Sequence, residues 1–139
     1  MKKDNFSIGE LSKATECPVE TIRYYGKISL LEEPERTEGN QRRYGQKDYK
    51  RLLFILRARS LGFSIESIRQ LIKLSEHPND LCGEADSIAQ QQLCETRAKI
   101  ARLRYLEQEL EKMTKQCQGH KIRECKVIES LADFSAPEH

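Results

Sequence analysis

The chain has 139 residues, of which 37% are hydrophobic, 6% aromatic and 33% charged, a balance that suits one small head with a modest core and leaves apolar surface for a partner. No apolar run approaches the roughly 18 residues of a membrane span, and MKKDNFSIGE lacks the apolar stretch of a signal peptide, so a soluble, cytoplasmic protein with no membrane partner is expected. The net charge of +2 conceals an asymmetry, because residues 1–75 carry 15 Lys and Arg against 10 Asp and Glu, while residues 76–139 carry 9 against 12.

In chain order, Ser7-Ile8-Gly9-Glu10 fits a capping box and predicts a short helix over about 8–14, with Leu11 and Ala14 on its inner face. The Thr15-Glu16-Cys17 turn follows. Pro18 suits a first helical position, and Val19, Ile22 and Tyr25 recur at helical spacing to about residue 26. Two short helices joined by a tight turn predict a helix-turn-helix. Pro34, Gly39 and Asn40 within residues 32–41, followed by Gln41-Arg42-Arg43-Tyr44, predict a hairpin wing. From Lys47 to about Ser60 the residues Leu52, Leu53, Ile55 and Leu56 predict a helix stopped at Leu61-Gly62. Ser64 starts another, with Ile65, Ile68, Leu71 and Ile72 facing inward, and His77-Pro78-Asn79-Asp80 breaks it. Residues 36–59 hold eight cations (Arg36, Arg42, Arg43, Lys47, Lys50, Arg51, Arg57, Arg59) against Glu38 and Asp48, a local excess suited to a phosphate backbone.

From Gly83 to Cys117 a stripe of Leu93, Ile100, Leu103, Leu106, Leu110, Met113 and Cys117 predicts one long helix. About 34 residues at roughly 1.5 Å each span about 50 Å, more than a small domain can cover, so a homodimer joined by an antiparallel coiled coil is expected. The fold class is therefore mainly α. Its segments are a winged helix-turn-helix head with connecting helices over 1–75, a hinge and dimerisation helix over 76–116, and a loop with a short C-terminal helix over 117–139.

The five cysteines, Cys17, Cys82, Cys94, Cys117 and Cys125, are an odd number without the pattern of a disulfide framework. Cys117 and Cys125 bracket the loop CQGHKIREC, which offers too few ligands for a closed metal site. Cys82 precedes the long helix, so antiparallel pairing brings Cys82 of one chain beside Cys117 and Cys125 of the other, giving two equivalent sites. Three thiolates suit Zn(II), Cd(II), Pb(II) or Hg(II), one ion per site, with His120 as a candidate fourth ligand beside water, hydroxide or another anion. Packing is expected for Cys17 and Cys94, and solvation for His77. No nucleophile is paired with a base, so an enzyme is not expected.

These pieces together, "IGELSKAT", "VETIRYY", "RTEGNQRRY", "RARSLGFSIESIRQL", Cys82 before a long helix, and "CQGHKIREC" followed by "KVIESL", resemble the MerR family of metal-responsive transcription regulators, especially its zinc, cadmium, lead and mercury sensors. The resemblance implies a recognition helix over 18–26 in the major groove of double-stranded promoter DNA. Arg23 and Tyr24 match contacting positions there, and Tyr25 supports them. Arg36, Arg42 and Tyr44 match the wing positions, and Arg43 joins them as a cation of the same strand. It also implies Cys82, Cys117 and Cys125 as metal ligands. The chain departs from the pattern at Gly26, where many members have an acid, at Ser29, where many have glycine, and at Gln118, where zinc sensors often have a second cysteine. Copper, silver and gold sensors usually lack a cysteine at the position of Cys82, which favours a divalent ion.

The mechanism implied is repression without metal and activation with it, by distortion of a promoter whose two recognition elements are too far apart for RNA polymerase. Two other readings compete with it. A thiol redox sensor would use Cys117 and Cys125 as a disulfide and leave Cys82 dispensable, whereas a scaffold with structural zinc would unfold on metal removal.

Overall fold

A computed structural model describes residues 5–32, 34–36, 42–116, 121–122 and 125–132. The elements are α1 (Ile8–Thr15), α2 (Val19–Lys27), β1 (Glu35–Arg36), β2 (Arg42–Arg43), α3 (Gln46–Ser60), α4 (Ile65–Ser75), α5 (Gly83–Gln116) and α6 (Lys126–Ala132), a mainly α chain as expected. It divides into two compact units, residues 1–88 and 89–139.

In the first unit, α1 opens with the expected capping box. Ser7 Oγ accepts from the Glu10 N–H at 3.1 Å, and Glu10 Oε1 accepts from the Ser7 N–H at 2.8 Å. The inward row runs through half-buried Ile8, buried Leu11 and half-buried Thr15, so Ala14, assigned inward by its spacing, is instead exposed. Thr15 takes the next turn's inner position, and its hydroxyl donates to the Leu11 carbonyl at 2.8 Å. Glu16 ends the helix at φ 57, which turns the chain so that Cys17 enters the core. Pro18 proves to be the cap of α2 rather than its first helical residue, and its carbonyl accepts from Thr21 and Ile22 at 3.0 and 3.1 Å.

α2 sends Ile22 and Tyr25 inward. After it Ser29, at φ 64, reverses the chain so that the N–H groups of Leu30 and Leu31 both donate to the Tyr25 carbonyl, at 2.9 and 3.2 Å. Those two leucines are fully buried and carry much of the core's volume. β1 and β2 pair antiparallel, Glu35 opposite Arg43 and Arg36 opposite Arg42, which is the expected wing. Its expected turn at Gly39-Asn40 lies outside the described residues. Phe6 and Tyr44 exchange backbone hydrogen bonds of 2.7 and 2.8 Å, and the Phe6 ring stacks on Tyr49 at 5.4 Å.

α3 begins where Asp48 accepts from the Gly45 N–H at 2.8 Å, and it buries Leu52, Ile55 and Ala58. Leu53, on the other face of the same helix, is exposed. Gly62, at φ 90, supplies the left-handed turn into α4, whose Ser64 cap accepts from the Ser67 N–H at 3.1 Å. Ile68 and Ile72 complete the core.

The second unit contains most of α5 and all of α6. No described side chain in it is buried, although Leu93, Ile100, Leu103, Leu106 and Leu110 all belong to the apolar stripe. No described helix is long and apolar enough to cross a membrane.

Candidate DNA interface and metal centre

α2 separates a packed face from an exposed one by helical phase. Ile22 and Tyr25 point into the core, while Arg23 and Tyr24 lie side by side on the exposed face, with Tyr24 half exposed. The rings of Tyr24 and Tyr25 sit 5.9 Å apart and tilted, so the outer tyrosine leans on the inner one. Burial pushes the Tyr25 phenol above its ordinary value of 10.0, and the Arg59 guanidinium, which hydrogen-bonds it, opposes that rise. Arg59 also donates to the Phe63 carbonyl at 3.0 Å, tying the phenol to the α3–α4 turn.

The wing places Arg36 and Arg42 opposite one another. Tyr44 lies just beyond, only 4% exposed, and Tyr25 is 6% exposed. Both rings are packed in the core, Tyr25 in the place of the supporting residue it was expected to be and Tyr44 on the inner side of the wing position it was matched to. Other members of the basic run are already engaged. Arg43 donates through Nε to Asn5 Oδ1 at 2.6 Å and lies 3.6 Å through Nη2 from Glu10 Oε1. Lys47 meets Glu32 at 3.7 Å with both side chains largely in water, a pair that contributes little.

Two of the three expected thiol ligands lie within the described residues, each just before a helix. Cys82 is exposed, and its carbonyl accepts from the Asp86 N–H at 2.9 Å in the first turn of α5. It lines a cavity of about 300 Å³ together with Phe54, Leu71, Leu74, His77 and Leu81. Cys125 is half-exposed, and its carbonyl accepts from the Glu129 N–H at 3.0 Å as α6 begins. Cys117 and His120 lie outside the described residues. His77 is exposed in the loop after α4, as expected of a solvated histidine. Among the described residues no group of three His, Cys, Asp or Glu in one chain is placed to hold a metal. The two thiols nevertheless fit a soft ion in type and accessibility, needing further ligands to complete a site.

Of the remaining cysteines, Cys17 is packed as expected, 2% exposed, with its Sγ–H donating to the Pro18 carbonyl at 3.7 Å. Burial holds its thiol above the ordinary value of 9.0. Cys94 departs from the packing expectation. It is exposed on α5, in a stretch where no described side chain from residue 89 onward is buried.

The sequence reading missed Asn5, Phe6 and the pairing of Glu10 with Arg43. Phe6 had a signal, since an apolar residue just before a capping box commonly staples onto the helix's fourth residue, here Leu11. Asn5 and the Glu10–Arg43 pair had none.

A tight pair of short helices, an exposed recognition face and a two-stranded wing define a winged helix-turn-helix DNA-binding protein. Profiles of known families match in the same places, "MerR HTH family regulatory protein" over residues 6–74 and "MerR, DNA binding" over residues 49–113. The chain is 41% identical to the HTH-type transcriptional regulator ZntR of Escherichia coli (strain K12), covering 91% of this chain and 92% of that one. It is 38% identical to the mercuric resistance operon regulatory protein of Shigella flexneri, covering 92% and 88%. The crystal structure of the transcription regulator PbrR691 from Ralstonia metallidurans CH34 in complex with lead(II) superposes with a TM-score of 0.78 at 40% identity, covering 91% of this chain and 99% of that one. The chain belongs to the MerR family of DNA-binding transcription regulators, a family that is not enzymatic.

Proposed function

We propose that this chain is a cytoplasmic, metal-responsive regulator that binds promoter DNA as a homodimer and activates metal-resistance or efflux genes when a divalent soft ion binds. The observation that carries this reading is the pairing of the exposed Cys82, just before α5, with an uncovered apolar stripe along that helix. The similarity to regulators named for mercury resistance and crystallised with lead(II) supports it. The ion, Zn(II), Cd(II), Pb(II) or Hg(II), would supply a three-thiolate link between chains. Cys82 of one protomer would hold it with Cys117 and Cys125 of the other, and His120 is the candidate fourth ligand.

On DNA, Arg23 and Tyr24 enter the major groove and Arg36 and Arg42 meet the backbone, while Tyr25 and Tyr44 hold these contacts in place. Residues 1–75 thus act as the DNA-binding segment, residues 76–116 as hinge and dimer helix, and residues 117–139 as the sensing segment. The cross-chain link biases the two heads toward a spacing that bends and untwists the promoter, aligning its elements for RNA polymerase. Bending costs about 1–6 kcal/mol, and a coupling of roughly 1–3 kcal/mol is enough to change its occupancy substantially.

The deciding experiment titrates the reduced dimer with each ion while footprinting the spacer of bound promoter DNA. One ion per site with thiolate-to-metal absorption and an altered spacer is expected. An unchanged spacer would remove the distortion mechanism. A Cys82→Ser variant that keeps the full wild-type response would favour the thiol-redox reading instead, because only there is Cys82 dispensable.

A further inference from the structure

Arg43 has the charge of a phosphate contact but the surroundings of a clamp. Its guanidinium is bound from two directions, by Asn5 Oδ1 at 2.6 Å and by Glu10 Oε1 at 3.6 Å. That same Glu10 oxygen accepts from the Ser7 N–H at 2.8 Å, so the carboxylate is fixed by the cap of α1 and does not follow a moving arginine at no cost. Arg43 precedes Tyr44 and Asn5 precedes Phe6. Because Phe6 and Tyr44 pair antiparallel, Asn5 and Arg43 lie on opposite sides of that pair, and their side-chain contact crosses diagonally the backbone exchange of 2.7 and 2.8 Å that joins Phe6 to Tyr44. The Arg43 side chain is 27% exposed. To reach a phosphate it would have to leave both acceptors.

We propose that Arg43 is a positioning residue for DNA binding, one that locks the wing to the first helix of the helix-turn-helix and leaves phosphate contact to other cations. The proposal rests on the DNA binding of the family. Its consequence is that wing and head move as one body, so the capping box of α1 sets where the wing meets the duplex. A fork of donors is needed to hold two acceptors at once, which arginine provides and lysine does not.

The test measures affinity against salt concentration for the full-length protein on a fluorescent duplex recovered by in vitro selection with the wild-type chain. Circular dichroism confirms that each variant is folded. A phosphate contact contributes about 0.9 to the slope of log affinity against log salt, and a lysine serves it nearly as well as an arginine. A clamp does neither. Arg43→Gln and Arg43→Lys should both weaken binding, by roughly threefold, the scale of a partly screened pair, with the salt slope unchanged. Asn5→Ala, which keeps every charge, should weaken it in the same direction. Glu10→Gln, which preserves the capping box, should add no further loss in the Arg43→Gln background. A slope reduced by about one with rescue by Arg43→Lys, fully additive losses, or no loss at all would each overturn the proposal. A wild-type chain that enriches no duplex would remove the DNA-binding reading along with it.

Discussion

Two residues without glycine's freedom hold left-handed backbones at either side of the recognition helix, Glu16 at φ 57 and Ser29 at φ 64. The left-handed region costs an L-residue about 1–2 kcal/mol, and Ser29 bears that cost because its turn is what drops Leu30 and Leu31 into the core. Ser29→Gly should therefore stabilise the fold by about 1 kcal/mol, seen as a higher urea midpoint at unchanged slope. A lower midpoint would mean that the turn is not strained. The family pattern flagged Ser29 as a departure, yet its conformation was not legible, since serine is ordinary in any loop. Cys17 carries a different residue-scale consequence. Burial holds its thiol above 9.0, so as pH rises the unfolded chain ionises before the folded one does. The stabilisation is complete below the thiol value of the unfolded chain and is lost as pH climbs through the folded value. Tyr25, raised above 10.0 mainly by burial, adds a second loss at higher pH. In metal-free, reduced protein, urea melts across alkaline pH should show stability falling in that order. Cys17→Ala should abolish the first decline and keep the second.

At the scale of elements, what is local in cause was legible and what is tertiary was not. The capping box at Ser7 and Glu10, the Ser64 cap, the stop at Gly62 and the break at 77–80 each depend on neighbours within four residues, and each was read correctly. Ala14 was misplaced because spacing gives a helix its faces but not which neighbour packs on them. Leu30 and Leu31 were passed over because they lie outside any periodic segment and are buried by a turn. The same division runs through the site. Cys82 and Cys125 stood out from their spacing around a helix. Arg43 did not, because an arginine in a basic run looks the same whether it faces a phosphate or a carboxylate, and its Asn5 partner lies 38 positions away. The α1 cap is where local and tertiary causes meet. Ser7→Ala should cost about 1 kcal/mol for the lost cap, read from chemical denaturation. The Ser7 N–H that holds the Glu10 carboxylate beside Arg43 is backbone and survives the substitution, so DNA binding and its salt slope should change little.

For the whole molecule, the decisive question is whether a metal site belongs to one chain or to two. α5 runs unbroken over Gly83–Gln116, about 50 Å at roughly 1.5 Å per residue, with Cys82 immediately before it and Cys117 immediately after. From the sequence alone, thiols that bracket so long a helix are expected to lie apart, and its stripe, with Leu103 and Leu110 more than half exposed, offers a second copy an apolar seam. A heterodimer of a Cys82→Ser chain with a Cys125→Ser chain separates the alternatives. If each site draws Cys82 from one protomer and Cys117 with Cys125 from the other, the first chain's intact loop meets the second chain's intact Cys82. The opposite site lacks both. Heterodimers isolated through two different affinity tags should then bind one Cd(II) ion tightly with the wild-type thiolate absorption, where the wild-type dimer binds two. Sites confined to single chains would leave every site one thiolate short, and the heterodimer would behave like its parents. Partial recovery of transcriptional activation with that one ion would further show that a single cross-chain link suffices to shift the DNA-bound state, because in a symmetric dimer one link already ties the two heads into one spacing.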